Sequence, residues 1–254
     1  MSDVVKTEIT DGVGIVTINR PEAKNAVNLA VAQGVAAAVD AFEADDAVVA
    51  IVVTGAGGTF CSGMDLKAFT RGERPSIPGR GFCGLSEHVV DKPLIAAVEG
   101  YALAGGCELA LATDIIVAAK TAKLGIPEVK RGLVAAGGGV LKLAKTMPYG
   151  AAMELALTGD FLDAERAQEL GVVTRVTEDG KALEGALELA KRIAANGPLA
   201  VKASKELVSR SIKWIDKDLL ALQAEVIDPV FKSEDAIEGA TAFAEKRAPQ
   251  WKGR

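Results

Sequence analysis

The sequence predicts an α/β fold, and three observations carry that prediction. Apolar, β-branched runs recur at residues 13–18, 47–55, 92–100 and 114–119. Stretches of helical character lie between them, at 29–42 and 107–114. Past Gly137-Gly138-Gly139 the strand signals thin to one short run at 172–176, and helical patterns take over. Strands alternating with helices, then helices alone, describe an α/β core with a helical C-terminal region.

Each element has its own signal. VGIVTI at 13–18 alternates and is β-branched, as a strand should be. The polar turn NRPEAKNAVN at 19–28 separates it from the helix at 29–42. AVVAIVVTG at 47–55 is continuously apolar and closed by glycine, the pattern of a strand buried on both faces. KPLIAAVEG at 92–100 repeats it, CELALATD turns helical, and DIIVAA at 114–119 is a further strand. Asn196-Gly197-Pro198 is the strongest breaker in the second half. It divides a core of residues 1–196 from a helical region of residues 197–254. In that region Ile215, Leu219, Leu222 and Val226 form an apolar stripe at helical spacing. Ser233 is placed to cap a final helix, with Glu234 and Asp235 in its first turn and Lys246, Arg247 and Pro249 at its end. A tail this thin has no core of its own, so it is expected to pack on the main domain or on another subunit.

Composition narrows the function. A formal charge of −5 with no block of consecutive basic residues argues against nucleic-acid binding by a broad patch. No apolar run approaches the length of about 18 residues that a membrane span requires. The first ten residues lack the basic-then-apolar pattern of a signal peptide. Three cysteines, Cys61, Cys83 and Cys107, without CxxC spacing, fit neither a disulfide framework nor a zinc site. The cytoplasm is the expected compartment. TGAGGTF at 54–60 has Phe60 where a dinucleotide motif needs its third glycine, and no GxxxxGK[ST] occurs. The single histidine, His88, cannot build a multi-histidine metal site, and the chain has no GxSxG to supply a nucleophile for it. No metal is expected. Catalysis would rest on carboxylates and backbone dipoles.

Two glutamates suit that chemistry. Glu108 follows a Gly-Gly turn in YALAGGCELALATD, and Glu128 lies in LGIPEVKRGLVAAGGG. A carboxylate close behind such a turn is an acid or base set beside exposed backbone N–H groups. Two carboxylates on one cavity would hold a water between them.

With NRPEAKNAVN, TGAGGTFCSGMDLK, KPLIAAVEGYALAGGCELALATD, LGIPEVKRGLVAAGGG and SEDAIEGATAFAEKR in order, the chain resembles the enoyl-CoA hydratase (crotonase) family along essentially its whole length. The resemblance implies a spiral of ββα turns with C-terminal helices that form a homotrimer, commonly paired into a hexamer. It implies that Glu108 and Glu128 are catalytic and that the N–H groups of Met64 and Gly105 form an oxyanion hole for the thioester oxygen. It also assigns CoA binding to Ala23, Lys24 and Ala26, to the segment Met64, Asp65, Leu66 and Lys67, and to Phe243 and Lys246 reaching in from a neighbouring subunit. Coenzyme A enters as part of an acyl-CoA substrate, and no separate cofactor is implied.

The implied reaction is hydration of a 2-trans-enoyl-CoA to a 3-hydroxyacyl-CoA. Carnitinyl-CoA dehydration, double-bond isomerisation and a non-catalytic acyl-CoA-binding or assembly subunit stand as alternatives. One departure from the family pattern is Ala104, where a glycine is common. Residues 70–87 read as a loop that varies with the acyl group, and Phe69, Phe82 and Leu85 are candidates to line its pocket. Stretches 81–93, 137–143 and 233–254 further resemble the carnitinyl-CoA dehydratase subgroup, whose substrate carries a trimethylammonium group. Glu87 is the acidic candidate near the loop for such a cation. A plain short- or medium-chain enoyl-CoA is the expected substrate.

Overall fold

The β-branched and apolar runs assemble into a six-stranded sheet in a computed structural model that describes residues 4–212, 228 and 231–250. Its order is β1 (Val5–Thr10), β2 (Val13–Ile18), β3 (Ala50–Gly55), β6 (Leu94–Val98), β8 (Ile115–Ala119) and β11 (Arg175–Thr177). The first pair is antiparallel, and β2, β3, β6, β8 and β11 run parallel. A smaller sheet joins β7 (Tyr101–Leu103), β9 (Lys123–Gly125) and β10 (Leu162–Asp163), and a short hairpin pairs β4 (Ser76–Ile77) with β5 (Gly81–Phe82).

Alternation along the parallel strands feeds two cores. Val16, Ile18, Ile51, Val53, Ala96 and Val98 face the larger one, shared with helix α1 (Leu29–Ala44). Val13, Ala50, Val52, Ile95, Ala97 and Val117 face the other side. The continuous apolar character of β3 and β6 follows from this burial on both faces.

The remaining helices are α2 (Leu66–Thr70), α3 (Gly105–Leu111), α4 (Gly139–Thr146), α5 (Tyr149–Thr158), α6 (Ala164–Glu169), α7 (Ala182–Ala194), α8 (Pro198–Ile212) and a last described helix, Glu234–Glu245. Helix α7 covers the second face with Ala182, Ala186 and Ala190, one side of the helix at i, i+4, i+8, and small enough for close approach. Among the described residues no helix is long and apolar enough to cross a membrane.

The differences from the sequence reading have local causes. Strand β1 carries no apolar alternation because only Val5 is buried and the next five residues are exposed at the sheet edge. Strand β3 begins at Ala50 rather than at 47, since Val48 closes a turn by donating its N–H to Asp45 O at 3.0 Å. Helix α3 starts earlier than predicted, at Gly105, and the last strand is Arg175–Thr177 rather than 172–176. The breaker at 196–198 separates α7 from α8, with Pro198 at the first helical position. From α8, Lys205 reaches back to the core, pairing with Asp114 at 2.5 Å. The apolar stripe at Ile215, Leu219, Leu222 and Val226 lies outside the described residues. The last helix is capped as predicted, with Ser233 Oγ accepting the Ala236 N–H at 3.0 Å.

Candidate active site

The site begins with a close approach of two backbones. Cys61 donates its N–H to Tyr101 O and accepts the Leu103 N–H, so segment 61–63 runs beside β7 into the start of α3. A side chain at Gly106 would place Cβ 2.0 Å from Cys61 O, so only glycine permits this contact. Gly63, at φ +100°, is equally confined: a Cβ there would lie 2.8 Å from Ala104 Cβ and 3.1 Å from Gly105 N.

Two N–H groups come out of that junction without partners. Val27 donates to Gly63 O and accepts from Asp65 N–H, so the intervening Met64 N–H points to the opposite side. Gly105 is the first residue of α3, where no intrahelical acceptor exists for its N–H. Among the described residues neither N–H has an acceptor.

Ala104 forms the turn ahead of them at φ 53°, ψ −129°, a backbone region that favours glycine. Its methyl group faces Gly63, where a Cβ would lie 2.8 Å away. Ala104→Gly is therefore expected to stabilise the protein by about 1 kcal/mol, raising the thermal midpoint by about 2–4 °C. An unchanged or lower midpoint in a calorimetric scan would contradict the strain.

The carboxylates converge on the same cavity, of about 850 Å³. Glu108, in the first turns of α3, is 3% exposed, and its Oε1 accepts the Gly139 N–H at 2.9 Å. Burial pushes its carboxyl above the usual range, while the Gly139 and Gly137 N–H groups act in the opposite sense. Glycine is required in this cradle, because a Cβ at Gly139 would sit 2.7 Å from Glu108 Cγ. Glu128 projects from a 3-10 turn, Pro127–Arg131. Its Oε2 is buried with no hydrogen-bond partner among the described residues. Burial first and the charge of Glu108 second push Glu128 from 4.5 to about 8. Two carboxyls so coupled titrate as a pair. Cys107 lies close enough to feel both, but burial pushes its thiol up to about 12, which leaves it inert.

Arg20 lines the cavity wall, and Asn25 braces the turn behind it. Arg20 Nη1 donates to Ala26 O at 2.5 Å and Nη2 pairs with Asp65 at 3.0 Å, joining the 20–26 turn to the segment at 64–67. Asp65 also caps α2, accepting the Lys67 and Ala68 N–H groups at 3.1 Å. Asn25, fully buried at φ 55°, donates to Ala56 O and Thr59 O and accepts from Arg20 N–H. Lys24 Nζ stands 5.3 Å over the Tyr101 ring at the cavity wall.

Of the residues singled out in the sequence, Ala23, Lys24, Ala26, Met64, Asp65, Leu66, Lys67, Gly105, Glu108, Glu128 and Phe243 all line this one cavity. Lys246 is the C-cap of the last helix and is not in the lining. Phe243 lines the cavity of its own chain, with the Arg131 guanidinium 4.6 Å over its ring. Within the 70–87 loop, Phe82 lines the cavity, but Leu85 is fully buried in the core. Phe69 turns to Phe231 and Arg74 instead. His88 stands off the cavity near Asp40, at 4.0 Å. Sequence reasoning missed Arg20, Asn25, Gly106, Arg131 and the Gly137–Gly139 cradle. NRPEAKN and GGG were visible as motifs, but their roles depend on contacts across the fold.

Residues 8–254 match the family model described as enoyl-CoA hydratase/isomerase. The chain belongs to the enoyl-CoA hydratase/isomerase family. Enoyl-CoA hydratase EchA19 of Mycobacterium tuberculosis is 42% identical over 251 residues, covering 94% of this chain and 93% of that protein. A carnitinyl-CoA hydratase from Mycobacterium avium has a solved structure that superposes with a TM-score of 0.94 at 44% identity, covering 100% of both chains. An enoyl-CoA hydratase from Mycobacterium tuberculosis H37Rv superposes with a TM-score of 0.81 at 56% identity, again covering 100% of both. Membership places the chain in an enzyme family with hydro-lyase chemistry on CoA thioesters, and the architecture is the crotonase one.

Proposed function

We propose that this protein adds water reversibly across the C2–C3 double bond of a 2-enoyl-CoA thioester. The observation that carries this reading is a pair of electrostatically coupled, buried carboxyls on one cavity, beside two backbone N–H groups with no described acceptor. The N–H groups of Met64 and Gly105 take the thioester oxygen, whose negative charge grows as C2 becomes nucleophilic. The Gly139 N–H favours the charged form of Glu108 against the effect of burial, and Glu108 orients and deprotonates the water that attacks C3. Glu128, whose carboxyl near pH 7 is protonated, delivers a proton to C2. Mixing the enzyme with crotonyl-CoA tests the reaction through loss of the 2-enoyl thioester absorbance. Double-bond migration, or tight binding without turnover, would favour the isomerase or the binding-subunit reading.

Hydration by a protonated Glu128 declines as pH rises through about 8. Arg131, on the same turn, favours the charged form of Glu128. Removing that cation raises the Glu128 pKa further, so Arg131→Gln is expected to move the basic limb of kcat/KM to higher pH. A limb that stays in place would show that the guanidinium does not act on Glu128.

For the acyl group we favour the carnitinyl type, with dehydration of a 3-hydroxy-4-trimethylammonio acyl-CoA as the reverse direction. The backbone is closer to the carnitinyl-CoA hydratase, at a TM-score of 0.94, than to the enoyl-CoA hydratase of higher identity, at 0.81. This departs from the plain enoyl-CoA expected from the sequence. A rate profile across acyl-CoA substrates, crotonobetainyl-CoA included, separates the two. We also propose a homotrimer, alone or paired into a hexamer, as the assembly, to be measured by sedimentation.

A further inference from the structure

We propose that Glu87 is the specificity-determining residue of the acyl pocket, where its carboxylate pairs with a cationic group carried on C4 of the substrate. The inference rests on the hydro-lyase reading and on its carnitinyl-type acyl group, and it assigns the recognition to one side chain.

Glu87 lines the same cavity as Glu108 and Glu128, and its charge is felt at Glu108. Its backbone is pinned, while the residue is exposed in the single chain. The Glu87 N–H donates to Arg80 O at 3.0 Å, and the preceding Ser86 O accepts Lys142 Nζ at 2.8 Å. Its Cγ and Cδ pack over Gly81, where a Cβ would lie 2.8 Å from each. Among the described residues the carboxylate itself has no hydrogen bond or ion pair. Several other charged groups of the lining are engaged: Arg20 with Asp65, Arg74 over Phe69, Arg131 over Phe243 and Lys24 over Tyr101. Glu22, also in the lining, belongs to the Pro21–Ala23 turn, in the segment that the resemblance assigns to CoA.

The chemistry of the ligand matches. A trimethylammonium group has no N–H to donate, so a site recognises it by opposite charge and apolar surface together. Phe82 supplies such a surface. It is buried, lines the cavity, and its ring packs so closely on Gly105 that a Cβ there would meet Cζ at 2.4 Å. Glu108 addresses the water that adds at C3, and a nitrogen on C4 lies two bonds from that carbon. A carboxylate that lines the same cavity is placed to attract that cation. Glu108 and Glu128 do not meet this need, because proton transfer occupies both.

The test compares kcat/KM for crotonobetainyl-CoA with that for the neutral analogue in which carbon replaces the quaternary nitrogen. The wild-type enzyme is expected to prefer the cation. Glu87→Gln should lower that preference by about tenfold or more, chiefly through KM for the cationic substrate. Glu87→Asp should retain part of it and Glu87→Lys should lower it furthest. A preference equal to wild type in Glu87→Gln overturns the assignment. Wild-type turnover of the neutral analogue with no preference for the cation also overturns it, while leaving the hydro-lyase reading in place. No turnover of either substrate by the wild type overturns that reading itself.

Discussion

Glu108→Gln and Glu128→Gln are each expected to slow hydration by about 10²–10⁴-fold. Each substitution keeps the volume of the side chain and removes its ability to exchange a proton. Because the two act on one water, the double variant should be little worse than the poorer single one. Steady-state rates on crotonyl-CoA and crotonobetainyl-CoA measure both effects. A separate readout guards against mistaking a folding defect for a chemical one. The folded-state pKa of Glu128, about 8, lies above its ordinary 4.5. The stability it contributes is therefore present below about pH 4.5 and is lost as pH rises through 8. Glu128→Gln does not titrate, so above pH 8 it should unfold at a higher temperature than wild type while being far less active. A variant that is both inactive and less stable at that pH would assign Glu128 a structural role instead.

Gly106→Ala is expected to cost about 10²–10³-fold in kcat, the loss that follows removal of an oxyanion donor. The glycine touches no reacting atom. Its missing side chain lets the start of α3 come within reach of Cys61 O, and a Cβ there would be at 2.0 Å from that oxygen. Neither neighbour can yield cheaply, since Cys61 is bridged to β7 and Gly105 is packed under Phe82. The start of α3 must shift, carrying the Gly105 N–H away from the Met64 N–H. KM for the CoA thioester should change less than kcat, because the hole acts on charge that develops during reaction. Equal losses in both would place the damage in the binding walls rather than in the hole.

Much of the core was legible because β3 and β6 are buried on both faces, which forces continuous apolar runs that no helix of that length needs. Strand β1 was not, since a polar edge strand carries its information in its pairing with β2 and not in its own pattern. Strands β7 and β9 span three residues each, too few to show a period. In the site, Glu108, Glu128, Met64 and Gly105 could be named from motifs that pair a carboxylate or a free N–H with a glycine turn. Gly106 and Gly139 sit in those same motifs, yet their purpose is visible only against Cys61 and Glu108, far away in sequence. Arg131 and Phe243 are separated by more than a hundred residues and meet only in the folded chain. Leu85 shows the converse: an apolar residue in a variable loop looked like pocket lining, and the fold used it as core.

The central claim is that one water, held by Glu108 and Glu128, is added at C3 of a CoA enoyl thioester. Turnover in ¹⁸O-labelled water, read by mass spectrometry of the product, tests this most directly. The predicted result is a 3-hydroxyacyl-CoA with one ¹⁸O at C3, formed by the wild type and lost in Glu108→Gln and Glu128→Gln alike. A product without label, or labelled product formed at the wild-type rate by either variant, would contradict it.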